Sequence, residues 1–431
     1  MRTTCRVVLF LLFIIGFSSL SMGQNIVIKQ THESGIYQKG ENIRVTVSLK
    51  DLELDSLSVK ILENNINTIK DEKVPVTGEE LLVFEGSRDE PGSLIFQVRS
   101  GRNFAGTGAV IEPEKIKPGS KRPKDFDKYW KAEKKALRAL PMEVKSVPVD
   151  TIESGYVCSD MEINCTGPKP ARGYYAKPEN AEPKSLPIVL YVHAAGVAGD
   201  WCLAKPENAM RYAKMGKGAL CFDLNAHGML DGQPLSYYMD LQKGELNRYF
   251  YSGVENRDDF YFRGMYLRLI RTLDFLESQP EWDGKRILVI GESQGGGQAL
   301  AAAGLDKHVT AAVAIVPAMC DWGGRLVGRA GGWPDPLSTK NDQEKMKQTL
   351  PYFDNAHLLK GSKATLVTEI GFIDVTCPST SVYAAINQAK GKKITFGVPY
   401  RGHHLDQRWL QDYWEKTVDA PRNEFIKDFL K

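Results

Sequence analysis

The sequence carries almost no excess charge: 56 Lys and Arg stand against 53 Asp and Glu. No Lys/Arg stripe interleaved with aromatic residues stands out, so a nucleic-acid partner is not expected. No repeat of fixed period runs through the chain, which excludes solenoids and propellers. Low-complexity tracts are missing too, and the 22 Pro and 39 Gly serve as turn punctuation along 431 residues. Cysteine is sparse, with seven in all and no pair at zinc spacing. The histidines form no ligand set either, so neither a metal nor another cofactor is expected. Beyond the first 23 residues no apolar run is long enough to span a bilayer. What remains is ordinary globular chemistry, 42% hydrophobic and 25% charged, at a length that suggests two or three folding units.

Residues 1–23 read as a secretory signal. Arg2 and Arg6 precede the apolar run Val7 to Ile15, and small residues at Ser21 and Gly23 suit cleavage before Gln24. Cys5 lies ahead of the apolar run, where a lipid-carrying cysteine would not sit. The expectation is an exported protein, periplasmic or extracellular, with no membrane span. Six cysteines then remain: Cys158, Cys165, Cys202, Cys221, Cys320 and Cys377. Cys158 and Cys165 could pair only across a hairpin turned at Asp160-Met161-Glu162. On one strand they would lie about 23 Å apart. Buried free thiols are the expectation.

The chain has two textures. From Ile26 to about Val110 the period is two: Ile43, Val45, Val47 and Leu49 alternate with Arg44, Thr46 and Ser48. Leu57/Val59/Ile61 repeat the alternation, as do Leu94/Phe96/Val98 after the turn Glu90-Pro91-Gly92. Residues 24–110 are therefore expected to form a small β-sandwich of immunoglobulin-like size. It holds no clustered reactive side chains, and packing or spacing is its plainest use. A connector and amphipathic helix follow over 111–140, with the helix starting near Asp125-Phe126-Asp127-Lys128-Tyr129-Trp130.

Residues 141–431 change pattern. Short, almost wholly apolar runs appear at Ile188–Val192, Ala219–Phe222, Ile287–Ile290, Ala311–Val316, Thr365–Thr368 and Ile394–Val398. Such runs mean strands buried on both faces, hence a mostly parallel sheet covered by helices, and the class is α/β. Leu269, Leu273 and Leu276 give the segment Tyr266 to Leu276 a helical period.

The run Ile287–Ile290 ends in Gly291-Glu292-Ser293-Gln294-Gly295, a G-x-S-x-G. The string alone would turn up in about one chain in seven of this length. Its setting is the stronger signal, because it follows a strand and opens a helix rich in Ala and Leu. There a serine is held exposed on a strained turn, its backbone amides facing developing negative charge. A serine hydroxyl needs a base, and the histidines are His32, His193, His227, His308, His357, His403 and His404. The α/β-hydrolase chain order of serine, acid, histidine favours His403, in the loop after the last strand, with His404 as its competitor. Asp374 is the expected acid, in the loop after Thr365–Thr368, with Glu369 nearer the strand interior as the alternative. Two N–H donors for an oxyanion are expected at Gln294 and Ala195, the latter in the small-residue loop His193 to Gly199. His193, His227 and His404 are candidates for the substrate pocket.

Taken together these residues resemble the acetyl xylan esterase and cephalosporin C deacetylase family, carbohydrate esterase family seven. The resemblance runs from about Asp125 to the end. It rests on Asp125-Phe126-Asp127-x-Tyr129-Trp130, Gly291-x-Ser293-Gln294-Gly295-Gly296 and Val316-Pro317-Ala318-Met319-Cys320-Asp321. Gly371-x-x-Asp374-x-x-Cys377-Pro378-Ser379-Thr380, followed by Tyr400-x-Gly402-His403, is the most specific part. It implies an α/β-hydrolase fold with Ser293 as nucleophile, Asp374 as acid, His403 as base and oxyanion donors at Ala195 and Gln294. It also implies a serine esterase that removes acetyl groups from plant-type polysaccharide or oligosaccharide. Three features depart from the family: Asn225-Ala226-His227-Gly228 stands for Arg-Gly-Gln, His403-His404 for His-Glu, and Ala195 for an aromatic residue. The first and third are expected to reshape the acyl pocket. Two other functions are compatible with the residues. A peptidase would need paired glutamates on a lid, where only the separated Glu245 and Glu255 occur. A decayed glycan-binding protein would not need Ser293, Asp374 and His403 together.

Overall fold

A computed structural model of the chain describes residues 26–49, 54–150, 153–339, 343–407 and 409–431. The signal-like residues 1–23 and the cleavage point at Gln24 lie outside the described residues.

The period-two segment forms eight strands: β1 (Val27–Gln30), β2 (Ile36–Tyr37), β3 (Ile43–Ser48), β4 (Ser56–Glu63), β5 (Asn67–Pro75), β6 (Glu80–Gly86), β7 (Gly92–Ser100) and β8 (Asn103–Ile111). They make one sheet of order β1-β3-β6 and a second of order β2-β8-β7-β4-β5. The apolar alternates of the two sheets meet in a common core, with Ile43, Val45 and Val47 from one and Leu57, Val59, Phe96 and Val98 from the other. Each such side chain, fully removed from water, contributes about 1.5–3 kcal/mol.

The remaining strands are β9 (Val144–Val149), β10 (Tyr156–Ile163), β11 (Ala171–Pro178), β12 (Leu186–Val192), β13 (Leu220–Asn225), β14 (Trp282–Glu292), β15 (Ala311–Ile315), β16 (Thr365–Gly371) and β17 (Lys393–Val398). They form one sheet of order β17-β16-β15-β14-β12-β13-β11-β10-β9. All six apolar runs are strands of its parallel part, β12 to β17. Alternation within one run explains the burial of both faces. Ile188, Leu190 and Val192 enter the core beneath the helices Tyr261–Glu277 and Gln294–Leu305, while Val189 enters the opposite core beneath Pro206–Ala213.

Strands β9, β10 and β11 are antiparallel additions that the apolar-run criterion passes over. β9 is exposed at nearly every position, β10 carries Ser159, Asp160 and Glu162, and Arg172 and Lys177 bracket the buried middle of β11, so none reads as a continuous apolar run. β10 passes straight through Asp160-Met161-Glu162 with no hairpin there, and all six cysteines in the described residues are free thiols. The connector enters the helix Phe126–Ala139, whose Phe126, Tyr129 and Trp130 are buried beside Tyr352 and Phe353. The two units touch closely. Gly108 N–H on β8 donates to the Pro399 carbonyl at 2.8 Å. A Cβ at Gly108 would lie 2.4 Å from the Phe372 carbonyl oxygen, so only glycine fits there.

Candidate active site

β14 delivers Ser293 to the carboxyl edge of the parallel sheet, and the helix Gln294–Leu305 begins at the next residue. Ser293 has φ 55° and ψ −116°, a conformation that costs a non-glycine residue about 1–3 kcal/mol. Its neighbours hold it there. Ser293 N–H donates to the Ile315 carbonyl at 2.8 Å, and its own carbonyl accepts from Gly297 and Ala318 N–H, each at 2.9 Å. The strand and helix can approach this closely only because residues 291 and 295 lack side chains. A Cβ on Gly291 would sit 2.4 Å from the Gly295 carbonyl carbon, and one on Gly295 would sit 2.3 Å from the Val192 carbonyl oxygen.

β16 and β17 deliver the partners. The fully buried Asp374 carboxylate follows β16, and its Oδ1 accepts from the N–H groups of Thr376 and Cys377, both at 2.8 Å. Its Oδ2 lies 2.9 Å from His403 Nδ1. His403 Nε2 lies 3.0 Å from Ser293 Oγ. A carboxylate beside Nδ1 keeps the proton on that nitrogen, so Nε2 is the lone pair that faces the serine hydroxyl. The chain of contacts can therefore take a proton from Ser293 as its oxygen attacks a carbonyl carbon.

Glu369 does other work. It is buried at the end of β16 between Arg401 and Arg422, and it accepts a hydrogen bond from Trp414 Nε1 at 2.5 Å. His404 is exposed, with its ring centre 5.2 Å from that of His403 and nearly perpendicular to it. His193 and His227, expected to line a pocket, do not open on solvent: they are 3% and 1% exposed. His193 Nε2 is bonded to the Asp223 carboxylate, which also accepts from the Lys205 amide and Asn208. His227 Nε2 donates to the Gly196 carbonyl at 2.8 Å, and its Nδ1 accepts from Tyr261 Oη at 2.7 Å. Burial, with a smaller contribution from the Arg268 cation, pushes the His227 ring down to about 3, so it stays neutral.

Both histidines therefore underpin the loop 193–199. Trp201 Nε1 donates to the Ala195 carbonyl at 2.9 Å, so the loop's peptides are tied on both sides of Gly196. The side chain of Gln294 accepts from Tyr249 Oη at 2.5 Å, while its N–H is among the helix's first, which have no partner within the helix. Trp201, Tyr249 and Tyr261 carry no motif that marks them in the sequence. Cys377 is also close: a ligand atom each from Asp374, Cys377 and His403 lies within 4.8 Å of the others. Asp374 Oδ2 and both His403 nitrogens are already engaged with protein groups, and burial holds the Cys377 thiol protonated. This is a poor set for a metal ion.

The acetyl xylan esterase (AXE1) family model matches residues 111–416. The chain belongs to the acetyl xylan esterase family. Acetyl esterase Axe7A of Xylanibacter ruminicola is 29% identical, over 94% of this chain and 95% of its own length. Among solved structures, the acetyl xylan esterase from Paenibacillus sp. R4 is 25% identical with a TM-score of 0.57, covering 72% of this chain and 98% of its own. Acetyl xylan esterase 1 from Thermoanaerobacterium sp. JW/SL YS485 shares the fold, at 21% identity and a TM-score of 0.56, covering 74% of this chain and 98% of its own. This acetyl xylan esterase family member is a carboxylic ester hydrolase of α/β-hydrolase architecture. The family match begins at residue 111, so β1 to β8 lie almost wholly ahead of it.

Proposed function

We propose that this esterase removes acetyl groups from acetylated plant-type polysaccharide or oligosaccharide, through an acyl-enzyme on Ser293. The observation that carries the mechanism is the unbroken chain from Asp374 Oδ2 through His403 to Ser293 Oγ, at 2.9 and 3.0 Å. In this reading His403 Nε2 takes the hydroxyl proton as Ser293 attacks the acetyl carbonyl. Asp374 holds the ring in the needed tautomer and stabilises the imidazolium that forms. The N–H groups of Gln294 and Ala195 receive the oxyanion, the first at a helix start where the dipole favours negative charge. His403 then protonates the departing sugar oxygen, and water resolves the acetyl-serine by the reverse proton route. Glycan as substrate and acetyl as acyl group are inferred from family membership.

Export is part of the same reading, supported by the signal-like residues 1–23. No described helix is long and apolar enough to cross a membrane. The strand orders β1-β3-β6 and β2-β8-β7-β4-β5 support an immunoglobulin-like assignment for the amino-terminal unit. The test is hydrolysis of p-nitrophenyl acetate and of acetylated xylan by the wild type and Ser293→Ala. Ser293→Ala is expected to lose at least about a thousandfold in kcat with an unchanged fold. Retention of more than about one per cent of activity overturns the assignment.

A further inference from the structure

The loop that carries Asp374 is held from the amino-terminal unit as well as from the esterase fold. At the tip of the β4–β5 hairpin, Asn64 and Asn65 both adopt left-handed backbone, at φ 52° and 59°. The three-residue connection Asn64 to Ile66 is closed by Ile66 N–H on the Glu63 carbonyl at 3.1 Å, and asparagine tolerates the left-handed backbone it needs. Asn64 Oδ1 accepts from the Ser93 amide at 2.9 Å, which anchors the tip to its own sheet. The Asn64 carbonyl accepts from Ala330 N–H at 3.0 Å in the esterase unit. Asn65 Nδ2 then donates to the backbone carbonyl of Asp374 at 2.9 Å. The base loop is tied to the same unit, because Gln407 Nε2 bridges the carbonyls of Gly106 and Tyr400 at 3.1 and 2.7 Å.

The turn itself requires left-handed backbone, which glycine would satisfy, and does not require an amide reaching into a neighbouring unit. The other half of that amide is a burden, since Asn65 Oδ1 is buried without a partner. A carbonyl acceptor admits only the N–H₂ side, so the donor is what the arrangement uses. Asp374 is otherwise oriented through its carboxylate, by amides two and three residues along its own loop, and through its N–H, which donates to the Gly371 carbonyl at 3.4 Å. Among the described residues, Asn65 alone holds the Asp374 carbonyl from outside that loop.

Resting on the reading of Ser293, Asp374 and His403 as the triad, we infer that Asn65 is a positioning residue. It fixes the Asp374 peptide so that the carboxylate meets His403 Nδ1 in line, which makes the amino-terminal unit part of the active site. It touches neither substrate nor the reacting atoms, so its effect belongs to kcat and passes through Asp374.

Asn65→Gly keeps the turn and removes the donor. With p-nitrophenyl acetate it is expected to lower kcat about tenfold with KM within about twofold of wild type, the scale of one aligned hydrogen bond. The thermal midpoint is expected to move by only a few degrees. In an Asp374→Ala background the same change is expected to cost nothing further, because the group it positions is gone. A kcat within about twofold of wild type overturns the inference. So does a loss that multiplies undiminished onto Asp374→Ala, or one that merely follows the unfolded fraction. Asn65→Asp is the second variant, keeping size and turn while replacing the donor by a carboxylate. It is expected to lower kcat further, and to move the acid limb of kcat/KM to higher pH, since added negative charge favours the His403 imidazolium. An unchanged kcat and an unchanged limb together overturn the role. An active Ser293→Ala would sink the triad reading. A dead Ser293→Ala beside a fully active Asn65→Gly sinks only the role of Asn65.

Discussion

Replacing His227 by glutamine tests how the loop 193–199 is supported, because one side chain supplies both a structural bond and an acid liability. In the folded protein the ring titrates at about 3 against an ordinary 6.5, chiefly through burial and secondarily through the Arg268 cation. The unfolded chain therefore binds a proton near pH 6.5 that the folded protein refuses until about pH 3. Stability from this group is complete above the unfolded value and drains away as pH falls. Between pH 7 and pH 5 the loss is about 2 kcal/mol. Glutamine can donate from Nε2 to the Gly196 carbonyl and accept at Oε1 from Tyr261 Oη, and it does not titrate. The expectation is that His227→Gln keeps kcat within about threefold at pH 7. It should also lose about 2 kcal/mol less than wild type between pH 7 and pH 5 in urea unfolding. Asp231 and Asp354, whose carboxyls burial raises to about 7, and His357, held down to about 4 by burial, act equally in both proteins and cancel in the difference. His227→Ala breaks both bonds and should lower kcat by at least about tenfold through a loosened loop 193–199. Equal loss of stability on acidification by wild type and His227→Gln would refute a neutral, buried His227.

Three further expectations address other parts of the site. His403→Ala should lower kcat/KM by about a thousandfold or more, while His404→Gln keeps most activity, because the exposed His404 ring makes no bond to Ser293. Steady-state kinetics decide, and a larger loss at His404 reverses the base assignment. Glu369→Ala leaves Arg401 and Arg422 buried beside a missing carboxylate and should cost about 3–5 kcal/mol in urea unfolding. A wild-type midpoint would show that this cluster is not stabilised by Glu369. Gly295→Ala puts a methyl 2.3 Å from the Val192 carbonyl oxygen, so the strand and helix must part and Ser293 must move. A kcat loss of about a hundredfold is expected, and wild-type kcat would show that the elbow tolerates the shift.

The parallel sheet and the residues of the candidate site were legible without coordinates, for local reasons. A strand buried on both faces must be apolar at every position, so β12 to β17 announce themselves in runs such as Ile287–Ile290. A serine forced to φ 55° between a strand and a helix needs room on either side, and Gly291 and Gly295 mark that need in five letters. Chain order then points to Asp374 and His403, since each strand of a parallel sheet delivers its following loop to the same edge. Strands β9 to β11 escape such reading because polar residues such as Lys145, Asp160, Glu162 and Arg172 break the run. Burial and partnership escape it altogether. Glu369 and Asp374 are carboxylates five positions apart, yet only the fold sets one between two arginines and the other against an imidazole. His193 and His227 look like pocket residues until packing covers them and charges their surroundings. Asn65 meets Asp374 across 309 residues of chain. Periodicity and turn chemistry are properties of neighbours along the chain, whereas desolvation, ion pairing and hydrogen-bond reach depend on neighbours in space, which tertiary structure alone supplies.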